Sequence, residues 1–288
     1  VNEFPKLQGI MGRYYAHHDG EPEEVAAAIE EHYQPIQSGG QLPATNAGKI
    51  VALCDRIDTL IGIFATGKKP TGMKDPYALR RAALGIARIT IECKLDYDLL
   101  DLLKKSAELL QDNLEAQSAI NDVMDYIMER MRGYFYDQGI PADTFEAVRN
   151  IQPTRLLDFA ERISAVQHFR NLPESESLAA ANKRIRNILK KSSCGNKPAN
   201  TALFRETAEQ SLFQQVIEAE EKVSPLLAAR DYTAALSALA SLKPVVDQFF
   251  DEVMVMDEDE AIRDNRIALL TKVDDLFTAV ADISVLQS

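Results

Sequence analysis

Residues 258–285 read EDEAIRDNRIALLTKVDDLFTAVADISV. Ile262, Leu269, Val273, Leu276, Val280 and Ile283 recur in this stretch at steps of seven, four and three, the spacing that lines apolar side chains along one face of an α-helix and buries that face against partner helices. The same periodicity extends back through the chain. Residues 46–65 place Ile50, Leu53, Ile57, Leu60 and Ile61 at helical spacing. Pro22 followed by Glu23 and Glu24 opens a helix over 22–33, with acids where a helix dipole favours them. After a loop marked by Ser38-Gly39-Gly40 and Pro43, Asp75-Pro76 predicts a helix start with Asp as the cap and Pro in the first turn, running to Cys93. Further helices are predicted over 98–111, 116–137, 155–170, 174–192, 203–229, 232–242 and 244–254, with a short one between Pro141 and Asn150. Val253-Met254-Val255-Met256 is the nearest approach to strand alternation and is too short to build a sheet. The predicted fold is all-α, as two consecutive helical bundle domains, 1–152 and 153–288, meeting at Pro153-Thr154.

Composition narrows the class. At 46% hydrophobic and 26% charged residues, the chain has the balance of a globular protein with a sizeable core. No apolar run approaches the length of a membrane span, so no membrane is expected as partner. Cys54, Cys93 and Cys194 are odd in number and widely spaced, which fits neither a disulfide framework nor a metal knuckle and predicts a reducing, cytoplasmic setting. The chain begins with Val1 and shows no signal peptide, which predicts a fragment or a processed product.

The net charge of −12 argues on average against a polyanionic partner, but charge acts locally because salt screens it within about 10 Å. From Ser177 to Arg205 there is no acid, and there are seven bases: Lys183, Arg184, Arg186, Lys190, Lys191, Lys197 and Arg205. On a helix, Leu178, Ala181, Ile185 and Ile188 would share an apolar face. Asn182, Lys183, Arg184, Arg186, Asn187, Lys190 and Lys191 would then offer cations and amides to solvent. Phosphates take such charges, and unpaired bases take hydrogen-bonding edges and flat partners; a merely solvated helix face is the competing reading. A second basic segment carries Lys68, Lys69, Lys74, Arg80 and Arg81 around Gly67 and Gly72. It lacks phosphate-loop spacing, so a backbone contact to RNA or a subunit contact is the expectation.

Other chemistry is sparse. His17, His18 and Asp19, with Asp55 and Asp58 one helical turn apart, are the candidate metal ligands. A metal needs at least three converging groups, and solvated side chains are expected instead. No serine or cysteine sits in a nucleophile motif, and no catalytic residue is expected. Arg263, Asn265 and Arg266 beside the acids at 257–260 suit internal ion pairs as well as RNA contact.

Four stretches together resemble one family. They are Phe4-Pro5-Lys6-Leu7-Gln8-Gly9-Ile10-Met11-Gly12-Arg13-Tyr14-Tyr15-Ala16 with His18-Asp19-Gly20-Glu21; Lys74-Asp75-Pro76-Tyr77-Ala78-Leu79-Arg80-Arg81-Ala82-Ala83; Leu178-Ala179-Ala180-Ala181-Asn182-Lys183-Arg184-Ile185 with Asn187-Ile188-Leu189; and Phe249-Phe250-Asp251, Val253-Met254-Val255-Met256 and Arg263-Asp264-Asn265-Arg266. In this order they resemble the bacterial glycyl-tRNA synthetase beta subunit. The resemblance implies an assembly of two alpha and two beta subunits, with glycine, ATP and Mg handled on alpha and none of these cofactors held by this chain. It implies the later part of an HD-like helical domain over 1–152, its upstream portion missing, and a DALR-type anticodon-binding domain over 153–288. The implied partners are glycine tRNA and the alpha subunit, with no DNA. An HD-type metal-dependent phosphohydrolase and a helical protein-interaction scaffold are the alternatives.

Overall fold

The computed structural model describes residues 3–70, 75–110, 115–192 and 198–286. Among the described residues there are thirteen α-helices, several short 3-10 turns and no strand, so the fold is all-α. The chain divides into two compact units: Val1–Gln138 with Thr154–Leu157, and Gly139–Pro153 with Asp158–Ser288.

The first unit holds α1 (Ile10–His18), α2 (Glu23–Glu31), α3 (Asn46–Ala65), α4 (Leu79–Glu92), α5 (Leu99–Leu110) and α6 (Ile120–Asp137). Helix α3 is its pivot and packs on α2, α4, α5 and α6. Its buried stripe is Leu53, Ile57, Leu60 and Ile61, whereas Ile50, expected in the same stripe, is 61% exposed. Thr45 starts the helix by accepting the Gly48 N–H at 3.0 Å, a side-chain cap. Helix α4 begins later than the Asp75-Pro76 signal predicts. Ala78 takes a left-handed φ of 55°, and Asp75 reaches over it to accept the N–H groups of Leu79 at 2.8 Å and Arg80 at 2.9 Å. Asp75 therefore does cap the helix, but across an intervening turn.

The second unit holds α7 (Ala142–Arg149), most of α8 (Leu156–Phe169), α9 (Ser175–Leu189), α10 (Thr207–Ala228), α11 (Tyr232–Ala240), α12 (Lys243–Glu252) and α13 (Glu260–Thr278). Helix α10 packs on α11, α12 and α13, and α9 packs on α12, α13 and the 3-10 turn Ile283–Val285. The helix expected over 258–285 thus ends at Thr278, although Val280, Ala281 and Ile283 stay fully buried. Arg162 explains the stop, because its guanidinium donates to the carbonyls of Ala279 at 2.7 Å and Val280 at 2.8 Å, acceptors that a continuing helix would need. Asp158 holds Arg162 at 2.7 Å and accepts the Tyr232 hydroxyl. Burial and that bond push the Tyr232 phenol up to about 12.

In the first unit a single guanidinium fixes the approach of α2, α3 and α4. Arg56, on α3, is 6% exposed. It donates to its own helix at Ala52 O (2.8 Å) and to the carbonyls that end α2, at His32 (2.8 Å), Tyr33 (3.3 Å) and Gln34 (2.7 Å). Those carbonyls would otherwise be orphaned at a helix terminus. Burial lowers the Arg56 pKa below the ordinary arginine value, the expected direction for a desolvated cation. Gly85 of α4 lies against it: a Cβ there would sit 2.6 Å from Arg56 Nε. In an unobstructed helix, Gly→Ala stabilises by about 1 kcal/mol. Here the sign reverses. Gly85→Ala is expected to destabilise the first unit by about 1–3 kcal/mol, the range for overpacking, read as a lowered denaturant midpoint by circular dichroism.

Candidate nucleic-acid interface

Helix α9 separates its polar residues onto two faces. Leu178, Ala179, Asn182 and Ile185 are buried, so the apolar stripe lies closer to Asn182 and Arg186 than Ala181 and Ile188 suggest. Asn182 is 1% exposed, and neither polar atom of its amide has a hydrogen-bond partner. Arg186 is drawn inward by carboxylates and pairs with Asp274 at 2.9 Å and Asp282 at 2.6 Å. Asp282 also accepts the Asn150 amide at 2.9 Å, which ties α7, α9 and the chain end together. The sequence pattern assigns both Asn182 and Arg186 to the solvent face. The structure instead places one in the core and commits the other to an internal ion pair.

The outward face keeps the rest. Lys183, Arg184, Asn187, Lys190 and Lys191 are exposed. Lys183, Arg184, Asn187 and Lys191 line a cleft of about 420 Å³ whose remaining wall is Ala180, Ile188 and Met256. That lining contains three cations and no carboxylate. The Arg184 guanidinium carbon lies 4.2 Å from the Phe250 ring centroid, a cation–π contact that holds the planar group in place. Phe250 in turn meets the fully buried Phe249 edge-on, centroids 5.7 Å apart. Sequence alone does not single out Phe250 and Met256 as site residues. The signal for Met256 is the run Val253–Met256, in which both valines are buried while Met254 and Met256 are 76% and 55% exposed; Phe250 has no such signal.

Arg266 positions that run. It is 3% exposed and donates to Glu209 at 3.0 Å, Asp257 at 2.8 Å and the Met254 carbonyl at 2.8 Å. Glu209 also receives the backbone N–H groups of Arg205 and Glu206, both at 2.8 Å, closing the capping box of α10. Burial pushes the Glu209 carboxyl up, but Arg266 and these N–H groups outweigh burial and hold it below its ordinary range. Asn265 bonds both backbone groups of Asn200, at 2.6 and 3.1 Å. Arg266 and Asn265 are therefore internal ties. Arg263 lies 3.8 Å from Glu260.

In the first unit the structure gathers Arg80 and Arg81 with Arg88 and Arg130 around a cleft of about 860 Å³. Glu92, Glu129 and Asp137 also line it, so its charge is mixed. Arg81 donates to the Ile36 carbonyl at 3.2 Å, and Arg88 pairs with Glu92 at 2.7 Å. Lys68 and Lys69 do not line this cleft: Lys68 lies 5.8 Å from the Tyr77 ring centroid, and Lys69 pairs with Asp122. Lys74 and Lys197 fall outside the described residues. His17 pairs with Glu23 at 2.9 Å, while Asp55 and Asp58 are exposed on α3. Among the described residues, no three His, Cys, Asp or Glu side chains converge as a metal site. No helix among the described residues is long and apolar enough to cross a membrane.

Helix α9 carries the exposed Glu176 in its first turn, but from Ser177 onward it is acid-free, and this cationic stretch beside a partly apolar cleft has the chemistry that suits single-stranded nucleic acid. Residues 178–283, which contain this surface, match the DALR anticodon binding domain. Residues 1–150 match the glycyl-tRNA synthetase beta subunit family, and the chain belongs to that family. It is 50% identical to the glycine–tRNA ligase beta subunit of Pseudomonas aeruginosa over 99% of its length and 42% of that protein. The proteins of the same name from Haemophilus influenzae (strain PittGG) and Coxiella burnetii (strain RSA 493) are 49% and 51% identical. Each alignment covers 100% of this chain and 42% of the relative, so the chain spans about two-fifths of the length of these proteins.

Two expectations test the division of α9 and its support. Arg186→Ala removes the cation from a partly buried pair of carboxylates and should lower stability by about 1–3 kcal/mol. Lys183→Ala, on the open face, should change it by less than about 0.5 kcal/mol; urea unfolding separates the two. Glu209→Gln should cost about 3 kcal/mol at neutral pH by leaving Arg266 short of its charge partner. Because the folded-state carboxyl lies below its ordinary value of about 4.3, its stabilisation is complete above that value. It is lost as pH falls through the depressed folded value. The gap between wild type and Glu209→Gln should therefore narrow in acid, as measured by urea midpoints from neutral pH downward.

Proposed function

We propose that this chain is the tRNA-holding part of a glycyl-tRNA synthetase beta subunit. Its second unit grips the anticodon arm of glycine tRNA. Glycine activation with ATP and Mg, and acyl transfer, take place on the alpha subunit of an assembly of two alpha and two beta chains in the cytoplasm. The chain supplies no catalytic group and no metal ligand to that chemistry. The observation that carries the reading is that the carboxylate-free cleft lined by Lys183, Arg184 and Lys191 falls within the span that matches an anticodon-binding domain.

The electrostatics favour it despite the net charge. Phosphate contacts are local, and each one formed by a lysine or arginine releases condensed counterions. Lys183, Arg184, Lys190 and Lys191 are exposed along one helix and its C-terminal end, close enough together to follow a bent RNA loop. Arg80 and Arg81, joined by Arg130 in the first unit's cleft, form a secondary contact with the tRNA or with the alpha subunit. Arg186 serves the fold of the arm instead of the RNA, and Asn182 serves its core.

Titration of the full chain against glycine tRNA by gel shift or anisotropy tests this. Binding at low salt that weakens steeply as salt rises is expected. Replacing Lys183, Lys190 and Lys191 with alanine should weaken binding and flatten the slope of log K against log salt by about 0.7–0.9 for each phosphate that is no longer neutralised. A folded chain that does not bind glycine tRNA at low salt refutes the reading.

A further inference from the structure

The cleft between α9 and Met256 has features that phosphate binding alone does not require. A phosphate needs cations and N–H donors. It gains nothing from Ala180, Ile188 and an exposed Met256 thioether, yet these make up the rest of the wall. A flat aromatic ligand does gain from them, because apolar side chains cover its face and methionine sulfur makes favourable contacts with aromatic rings. Arg184 adds a planar cation at the rim. Its orientation is set from beneath by Phe250, 4.2 Å away, and the side chain remains exposed. Guanidinium planes are stacking partners for unpaired bases. Lys183 and Lys191 flank the cleft where a sugar–phosphate backbone would pass. Of the acids that follow Met256, Asp257 faces Arg266 and Asp259 pairs with Arg205, while Glu258 is exposed and is not part of the cleft lining.

We propose that this cleft is a subsite for a single unpaired nucleobase, which stacks on the Arg184 plane held by Phe250 and rests against Met256. Lys183 and Lys191 take the adjoining phosphates. The proposal rests on the reading of the second unit as an RNA-binding arm and names the group on the RNA that it selects. A base within a duplex has both faces covered by its neighbours and cannot enter, so the subsite prefers looped over paired RNA. Phe250 is a positioning residue here, acting through Arg184.

The test uses the full chain with two probes: a hairpin bearing the anticodon loop of glycine tRNA, and an RNA duplex of equal length without a loop. Wild type should favour the hairpin. Arg184→Lys keeps the charge and loses the plane; it should weaken hairpin binding about ten-fold or more, in the range for loss of one stacked base. Duplex binding and the salt slope should stay unchanged. Phe250→Leu should act in the same direction, and Lys183→Ala should instead weaken both probes and reduce the slope. If Arg184→Lys, folded by circular dichroism, binds the hairpin within two-fold of wild type, the subsite is overturned and a charge-only contact remains, such as a phosphate or an acidic protein segment would make. If wild type binds neither RNA, the RNA-binding reading itself falls. Should Phe250→Leu fail to fold, the Arg184→Lys result alone decides.

Discussion

The Arg266 guanidinium joins three segments of the second unit that sequence separates: the start of α10 through Glu209, the turn after α12 through the Met254 carbonyl and Asp257, and α13 itself. A buried cation is tolerable only when its N–H groups find acceptors. Here the acceptors come from different elements, so satisfying them dictates where those elements lie. An apolar side chain of similar volume could fill the space without specifying the path of the 253–257 turn. That path buries Val253 and Val255 and turns Met254 and Met256 outward. The wall of the candidate RNA cleft is therefore set by an ion pair that never reaches the surface.

A related economy explains how an acidic chain keeps a cationic face. Asp158 is held by Arg162, Asp274 and Asp282 by Arg186, and Glu209 and Asp257 by Arg266. Each arginine draws carboxylates to one site within its own unit. The outward residues of α9 are left with no acid in the cleft that they line. Net charge sums over both groups and so says little about either, which is why the average of −12 misleads.

The helical class and most helix positions are legible in the sequence, because a 3.6-residue apolar period and Pro, Gly and Asp punctuation act locally. The 46–65 helix forms over those residues as expected. Failures occur where distant groups intervene. Helix α13 stops early because Arg162, more than a hundred residues away, takes its terminal carbonyls. Helix α4 starts late because Asp75 caps at a distance. In the candidate site, the outward cations of α9 are legible from charge and spacing. The inward turn of Arg186 is not, since it depends on aspartates about ninety residues downstream. Nor can spacing show Phe250 beneath Arg184, because that stacking joins two helices whose proximity only the fold creates.

The course of the chain between the two units has a consequence for dissecting the protein. Residues 139–153 belong with the second unit, where Asn150 and the Ala147 carbonyl bond Asp282. Residues 154–157 belong with the first, where Thr154 bonds Asp98 and its carbonyl accepts the Leu99 N–H, and Arg155 pairs with Asp96. The units are interleaved along the polypeptide, not laid end to end. Cleavage at one peptide bond, whether by a protease or by gene truncation, strips a native piece from at least one of them. Isolating either unit intact calls for a circularly permuted or two-chain version that returns the exchanged segment to its own side.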